Sequence, residues 1–206
     1  MRIKICGITN IEDALLAESF GVDAVGFIFY NKSNRYVTPE QAENIIRTLS
    51  PLTSKIGVFV DENSENINNI SRQTGINVVQ LHGDENPDII KNISLPVIKA
   101  FRVDDNFDYN KLNQYQEYSL LLDAYTENDY GGTGNKFNWD KIPVQIKNKI
   151  ILAGGISSDN IEFIYKNINP AAVDLSSSLE VKPGKKDKKK MEKFFNKANA
   201  IRRQKC

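Results

Sequence analysis

An α/β chain closed into a single (β/α)8 barrel is the fold this sequence predicts, and three observations predict it. Short, nearly continuous runs of β-branched and apolar residues recur eight times, each followed by a segment with apolar residues at helical spacing, the alternation of parallel βαβ construction. The runs lack the every-other-residue polarity of a half-exposed sheet, as strands covered on both faces should. The first turn, Cys6-Gly7-Ile8-Thr9, lacks the glycine-rich dinucleotide signature expected of the main alternative, an open doubly wound sheet.

In chain order the predicted strands are residues 3–7, 24–29, 56–60, 78–81, 97–101, 120–123, 150–153 and 172–175. Thr9 with Glu12 reads as a capping box opening the first helix, whose stripe is Ile11, Ala14 and Leu15. Thr38 with Gln41 opens the second, with Pro39 at its first position, and Asn86-Pro87 repeats the signal before the fourth. In the last helix Met191, Phe194, Phe195, Ala198 and Ile201 recur every three or four residues and should pack on the strands. Eight units in 206 residues leave about 26 each, compact for a TIM barrel of roughly 250, so residues 1–206 read as one catalytic domain.

Composition narrows the function classes. A formal charge of +1 gives no global field to gather nucleic acid or anionic lipid. The basic run from Lys182 to Lys190 precedes Met191 and Phe194 at helical spacing, so it reads as the solvated face of a helix; a nucleic-acid-binding module is the competing class. Cys6 and Cys206 are the only cysteines, which points to a reducing cytoplasm. The N-terminus has no signal-peptide pattern and no window is apolar enough to span a membrane. With His82 the sole histidine, no histidine metal cluster can form, and neither metal nor cofactor is expected.

In this architecture function sits at the C-terminal ends of the strands. Strand one ends in Lys4-Ile5-Cys6-Gly7; Cys6 is either a base, as thiolate, or a buried small hydrophobe, and Lys4 is read as facing away from it. Strand six ends in Asp123, which is a general acid if desolvation keeps its proton, or a structural acceptor. A glycine-rich segment, Gly131-Gly132-Thr133-Gly134, follows it. Ala153-Gly154-Gly155-Ile156-Ser157 and Asp174-Leu175-Ser176-Ser177-Ser178 close strands seven and eight, where this fold commonly binds phosphate through backbone amides and helix N-termini. Arg35, in the loop after strand two, suits a substrate carboxylate or is an ordinary solvated arginine. His82, in Gln80-Leu81-His82-Gly83, orients substrate or is structural.

Taken in order along nearly the whole chain, these strings resemble phosphoribosylanthranilate isomerase: Lys4-Ile5-Cys6-Gly7-Ile8, Ser33-Asn34-Arg35-Tyr36-Val37, Val79-Gln80-Leu81-His82-Gly83, Leu122-Asp123, the glycines at 131–134, Leu152-Ala153-Gly154-Gly155-Ile156 and Asp174-Leu175-Ser176-Ser177. The resemblance implies a cofactor-free Amadori rearrangement of a phosphorylated aminoaldose, with Asp123 as general acid and Cys6 as general base. It also implies that Arg35 faces the anthranilate carboxylate, that Gly154, Gly155, Ser176 and Ser177 hold the phosphate, and that Gln80, His82 and Asp174 line the site. The partner is then a small phosphorylated sugar, with no nucleic acid or membrane, in a monomer or homodimer. Three residues depart from the family pattern: Asn34 where proline is common, Asn138 where an aspartate often precedes Trp139, and Ser178 where glycine usually follows the paired serines. The alternative within the same fold is another sugar-phosphate isomerase, epimerase or synthase.

Overall fold

The computed structural model describes residues 1–124 and 139–203. Eight parallel strands close in sequential order: β1 (Arg2–Cys6), β2 (Ala24–Ile28), β3 (Ser54–Phe59), β4 (Val78–Leu81), β5 (Val97–Val103), β6 (Ser119–Ala124), β7 (Ile151–Ala153) and β8 (Ala172–Leu175). The ring closes where β8 pairs with β1, Lys4 standing opposite Asp174. Every predicted strand is present, shifted at its ends by at most two residues.

Side-chain parity divides the core in two. Ala24, Ile56, Ile98, Ala100, Leu121 and Ala153 pack inside the barrel, while a far larger cluster lies between strands and helices, including Ile3, Ile5, Val25, Phe27 and Leu122. Because strand side chains alternate, the positions two residues beyond the inner apolar ones also point inward at the C-terminal end. These are Gln80 after Val78 and Asp123 after Leu121, with Asp174 of β8 bonded to Lys4 and Cys6 two residues beyond Lys4 on the same face of β1. The same alternation corrects the reading of Lys4: residues two apart share a face, and Lys4 lies inside the barrel, only 3% exposed.

The connecting helices are uneven. α1 (Ile11–Ser19), α2 (Pro39–Ile46) and α3 (Ser64–Thr74) are regular, but α4 (Pro87–Ile90) and α5 (Val144–Lys147) are single turns, and β5 leads to a 3₁₀ segment, Tyr109–Tyr115. After α6 (Ile161–Asn167) and β8, a short hairpin of β9 (Glu180–Lys182) and β10 (Lys185–Lys186) precedes α7 (Lys188–Arg203). In α7 all five predicted apolar residues are buried, with Phe195 stacked on Phe20 at 5.4 Å between ring centroids. The lysine run before and within α7 is exposed except for Lys186, which is buried.

Two helix signals separate cleanly. Thr38 and Gln41 form the expected capping box, each side chain taking the other's backbone N–H at 3.2 and 3.0 Å. Thr38→Ala should therefore cost about 1 kcal/mol, read as a lower urea midpoint at unchanged slope. At α1 the cap is Asn10, not Thr9: Asn10 Oδ1 accepts from Asp13 N, and Thr9 Oγ1 donates instead to Gly184 O at 2.5 Å. The inward face of α1 is accordingly Asp13, Ala14 and Ala17, and Ile11 and Leu15 are left 38% and 44% exposed.

Candidate active site

The inward-facing strand ends and the loops beyond them enclose a cavity of about 300 Å³, lined by Cys6, Arg35, Gln80, His82, Asp123, Gly154, Gly155, Asp174, Ser176 and Ser177. All ten predicted site residues thus meet in one place, although they come from six of the eight β/α units. A larger depression of about 800 Å³ adjoins it across His82, over the ends of β4 and β5. The smaller cavity is the better candidate, because among the described residues it is there that a thiol, a carboxyl group and two glycine- or serine-rich turns converge. The glycines at 131–134 and Asn138 lie outside the described residues.

On the β1 and β8 side the thiol sits in a buried charged group. Lys4 Nζ donates to Asp174 Oδ2 at 2.6 Å, and Cys6 belongs to the same electrostatic group. Burial works to lower Lys4, but Asp174 and Cys6 together outweigh it and the ammonium ends above its usual pKa. Burial likewise pushes the Asp174 carboxyl up, against the pull of Lys4. The Cys6 thiol is also pushed up by burial, with Lys4 and Lys186 opposing. Gly26, beside Cys6 in register, makes room for the sulfur, since a Cβ there would lie 2.9 Å from Sγ.

Across the cavity, β4 and β6 supply an acid with a positioned neighbour. Gln80 Nε2 stands 3.0 Å from His82 Nδ1, and His82 Nε2 lies 3.4 Å from Asp123 Oδ2. An amide nitrogen can only donate, so in this arrangement Nδ1 is the accepting nitrogen and Nε2 is the one that faces the Asp123 carboxyl group. Asp123 is about a third exposed at 34%, open to the cavity. Gln80 Oε1 and Asp174 Oδ1 are buried with no hydrogen-bond partner among the described residues. Such acceptors are costly unless a ligand donor meets them.

Arg35 is at the cavity wall, but its guanidinium is engaged: Nε and Nη2 form a bidentate pair with Glu180, Nη2 to Oε2 at 2.6 Å. The pair holds the planar fork in a fixed attitude rather than leaving it to solvent. Gly7, at φ 75°, is required here, because a Cβ would lie 2.6 Å from Arg35 Cδ. Sequence reasoning missed Glu180 and Lys186; the signal available was a glutamate and a lysine on either side of Pro183-Gly184, the lysine lying in a run read only as a charged helical face.

The two late turns line the remaining wall. Gly154 and Gly155 take φ of 86° and 61°, and since a Cβ on Gly155 would meet nothing within 4 Å, glycine is needed there for conformation alone. Asn160 braces this turn, accepting from Ser157 N at 2.9 Å and donating to Gly155 O at 2.8 Å. α6 starts only at Ile161, and Ser177–Leu179 is a single 3₁₀ turn, so it is loop backbone and serine hydroxyls that line this wall. Ser178 lies in that 3₁₀ turn and is absent from the few non-glycine residues with positive φ, so a side chain is accommodated without backbone strain. Among the described residues no group of three or more His, Cys, Asp or Glu is arranged to hold a metal ion.

Comparison with known proteins converges on the same chemistry. The family described as N-(5'phosphoribosyl)anthranilate (PRA) isomerase matches residues 3–197. The N-(5'-phosphoribosyl)anthranilate isomerase of Pelobacter propionicus is 45% identical over 203 residues, 98% of this chain and 97% of that one. The enzyme of the same name from Thermotoga neapolitana is 42% identical over 98% of this chain and 100% of its own. Among solved structures, the phosphoribosyl anthranilate isomerase of Thermotoga maritima superposes with a TM-score of 0.90 at 40% identity, covering 97% of this chain and 99% of that one. A phosphoribosyl anthranilate isomerase crystallised with reduced 1-(o-carboxyphenylamino)-1-deoxyribulose 5-phosphate gives 0.86 at 37% identity, over the same shares.

Proposed function

The chain belongs to the N-(5'-phosphoribosyl)anthranilate isomerase family, and on that premise we propose how its side chains divide the reaction. The enzyme converts N-(5-phosphoribosyl)anthranilate to 1-(2-carboxyphenylamino)-1-deoxyribulose 5-phosphate, an Amadori rearrangement of tryptophan biosynthesis. The observation that carries the assignment of roles is the convergence of Cys6 and Asp123 on one cavity whose third wall is the pair of turns at 154–155 and 176–178.

Asp123 gives a proton to the furanose ring oxygen. The bond from that oxygen to C1 breaks, and the nitrogen lone pair forms the C1–N iminium. Cys6, as thiolate, then takes the proton on C2; the C–H pair becomes the C1–C2 double bond, and the iminium electrons return to nitrogen. The enolamine loses its hydroxyl proton and gains one at C1, leaving the ketone. No electrons leave the substrate, so no external oxidant or reductant enters.

Each remaining group has a task suited to its surroundings. His82 holds the Asp123 carboxyl toward the ring oxygen. Gln80 Oε1 and Asp174 Oδ1 accept from sugar hydroxyls, which satisfies their buried lone pairs. Arg35 reads the anthranilate carboxylate, and the turns at Gly154, Gly155, Ser176 and Ser177 take the phosphate through backbone amides and hydroxyls. A reducing cytoplasm suits a base that must stay a free thiol, and the proposed partner is the small sugar phosphate, not nucleic acid or a membrane. Purified protein should convert phosphoribosylanthranilate with loss of the substrate's fluorescence. Full-length folded protein that leaves the fluorescence unchanged would overturn the proposed roles.

A further inference from the structure

The hairpin of β9 and β10 places a buried ion pair between two parts of the site. Lys186, with its side chain fully buried, donates to Cys6 O at 2.6 Å, to Glu180 Oε1 at 2.8 Å and to Ser176 O at 3.5 Å. One ammonium therefore ties the end of β1, which carries the thiol, to the turn after β8. Glu180 faces the other way as well, taking Arg35 Nε at 2.9 Å and Nη2 at 2.6 Å. We propose that Glu180 and Lys186 are positioning residues of the isomerisation: one buried carboxylate–ammonium pair aims Arg35 and fixes the strand end that carries Cys6.

Three observations support this. The hairpin is anchored away from the cavity, since Lys186 N donates to Asp13 Oδ2 at 2.7 Å, Lys185 pairs with Asp13 Oδ1 at 3.3 Å, and Thr9 donates to Gly184 O. The pair's position is thus set by α1 and does not depend on substrate. Burying a lysine and a glutamate is costly unless both are fully paired, and here every short contact of the ammonium goes to the thiol's own residue, the phosphate turn or Glu180. Burial lowers the Lys186 pKa against the pull of Glu180, while burial works to raise Glu180 but Arg35 and Lys186 together hold it below its usual value.

The electrostatic consequence falls on Cys6. The charged groups facing it are Lys4 on its own strand, Asp174 on β8, Lys186 on β10 and Arg35 from the loop after β2. Lys4 is offset by its partner Asp174, whereas Arg35 and Lys186 share the single negative charge of Glu180. That cluster therefore keeps a net positive charge beside the sulfur, the sign that favours a thiolate.

The inference rests on the roles given above to Cys6 and Arg35, so Cys6→Ala is assayed alongside to separate the two. Glu180→Gln should raise KM for phosphoribosylanthranilate about tenfold with kcat nearly held, and the rise should vanish with phosphoribosylaniline, which lacks the carboxylate. Lys186→Met should lower kcat about tenfold with KM nearly held and move the rising limb of the pH–rate profile upward, with Lys186→Arg restoring it. In a Cys206→Ser background, the pH midpoint for alkylation of Cys6 should move the same way. If either buried variant fails to fold, Asp13→Asn, which loosens the hairpin from outside, should give both effects at smaller size. An inactive Cys6→Ala beside variants with unchanged KM, profile and alkylation midpoint would overturn the positioning role alone. A fully active Cys6→Ala would overturn the reading beneath it.

Discussion

Cys6→Ala is expected to lower kcat/KM for phosphoribosylanthranilate by at least about 10²-fold, with the protein still folded. Alanine fits the site because Gly26 already leaves space around the sulfur, and the loss of one sulfur atom leaves the Lys4–Asp174 pair unchanged. The pH dependence carries the sign. Burial raises the Cys6 thiol above its usual range, so the free protein holds mostly thiol at neutrality, and the thiolate fraction grows as pH rises toward that raised value. The wild-type rate should climb with pH on that limb, and Cys6→Ala should lose the climb. Two features make an elevated pKa workable: the ammonium groups of Lys4 and Lys186 oppose the shift, and the substrate's own iminium adds positive charge next to the proton being removed. A Cys6→Ala enzyme with the wild-type profile would remove the thiol from the mechanism.

The fold was legible because each strand is covered on both faces, so its residues form an apolar run that stands out from the helical segments. The grouping of the candidate site was legible for a related reason: where an inward-facing run turns polar near its C-terminal end, as at Gln80, His82, Asp123 and Asp174, the cost of burying that polarity sets those residues apart. The first helix was misread because Thr9 and Asn10 are both good caps, and what decides between them is distant. Gly184, 175 residues later in the chain, takes the threonine hydroxyl, and Asp13 is drawn inward to hold Lys185 and Lys186. Ile11 and Leu15 are exposed as a result.

Lys186 shows where sequence reading stops. It sits among five other lysines between positions 182 and 190, and nothing local separates the buried one from its solvated neighbours. Burial follows from the hairpin, and the hairpin from long-range bonds to α1 and Arg35. The attitude of Arg35 was hidden likewise, since its bidentate partner Glu180 lies 145 residues away. Lys4 was misread for a simpler reason, the parity of the strand: residues two apart share a face, which places it beside Cys6.

Asp123→Asn should cost at least about 10²-fold in kcat, with KM changed little because the amide keeps the carboxyl's shape and can still meet His82 across the 3.4 Å gap. A kinetic isotope effect with substrate deuterated at C2 separates this loss from that of Cys6. The acid acts before the C2–H bond is touched, so impairing it makes ring opening rate-limiting, and the isotope effect should collapse toward unity in Asp123→Asn. Impairing the base does the reverse: Cys6→Ser, with a far weaker nucleophile and base at the same place, should show a larger isotope effect than wild type. The two aspartates that line the cavity are also told apart, because Asp174 is tied to Lys4 at 2.6 Å and lies beside Cys6, whereas Asp123 opens to the cavity. If Asp123→Asn retained an undiminished isotope effect while losing rate, the proton for the ring oxygen would have to come from elsewhere in the cavity, and Asp123 would be left with a role in binding only.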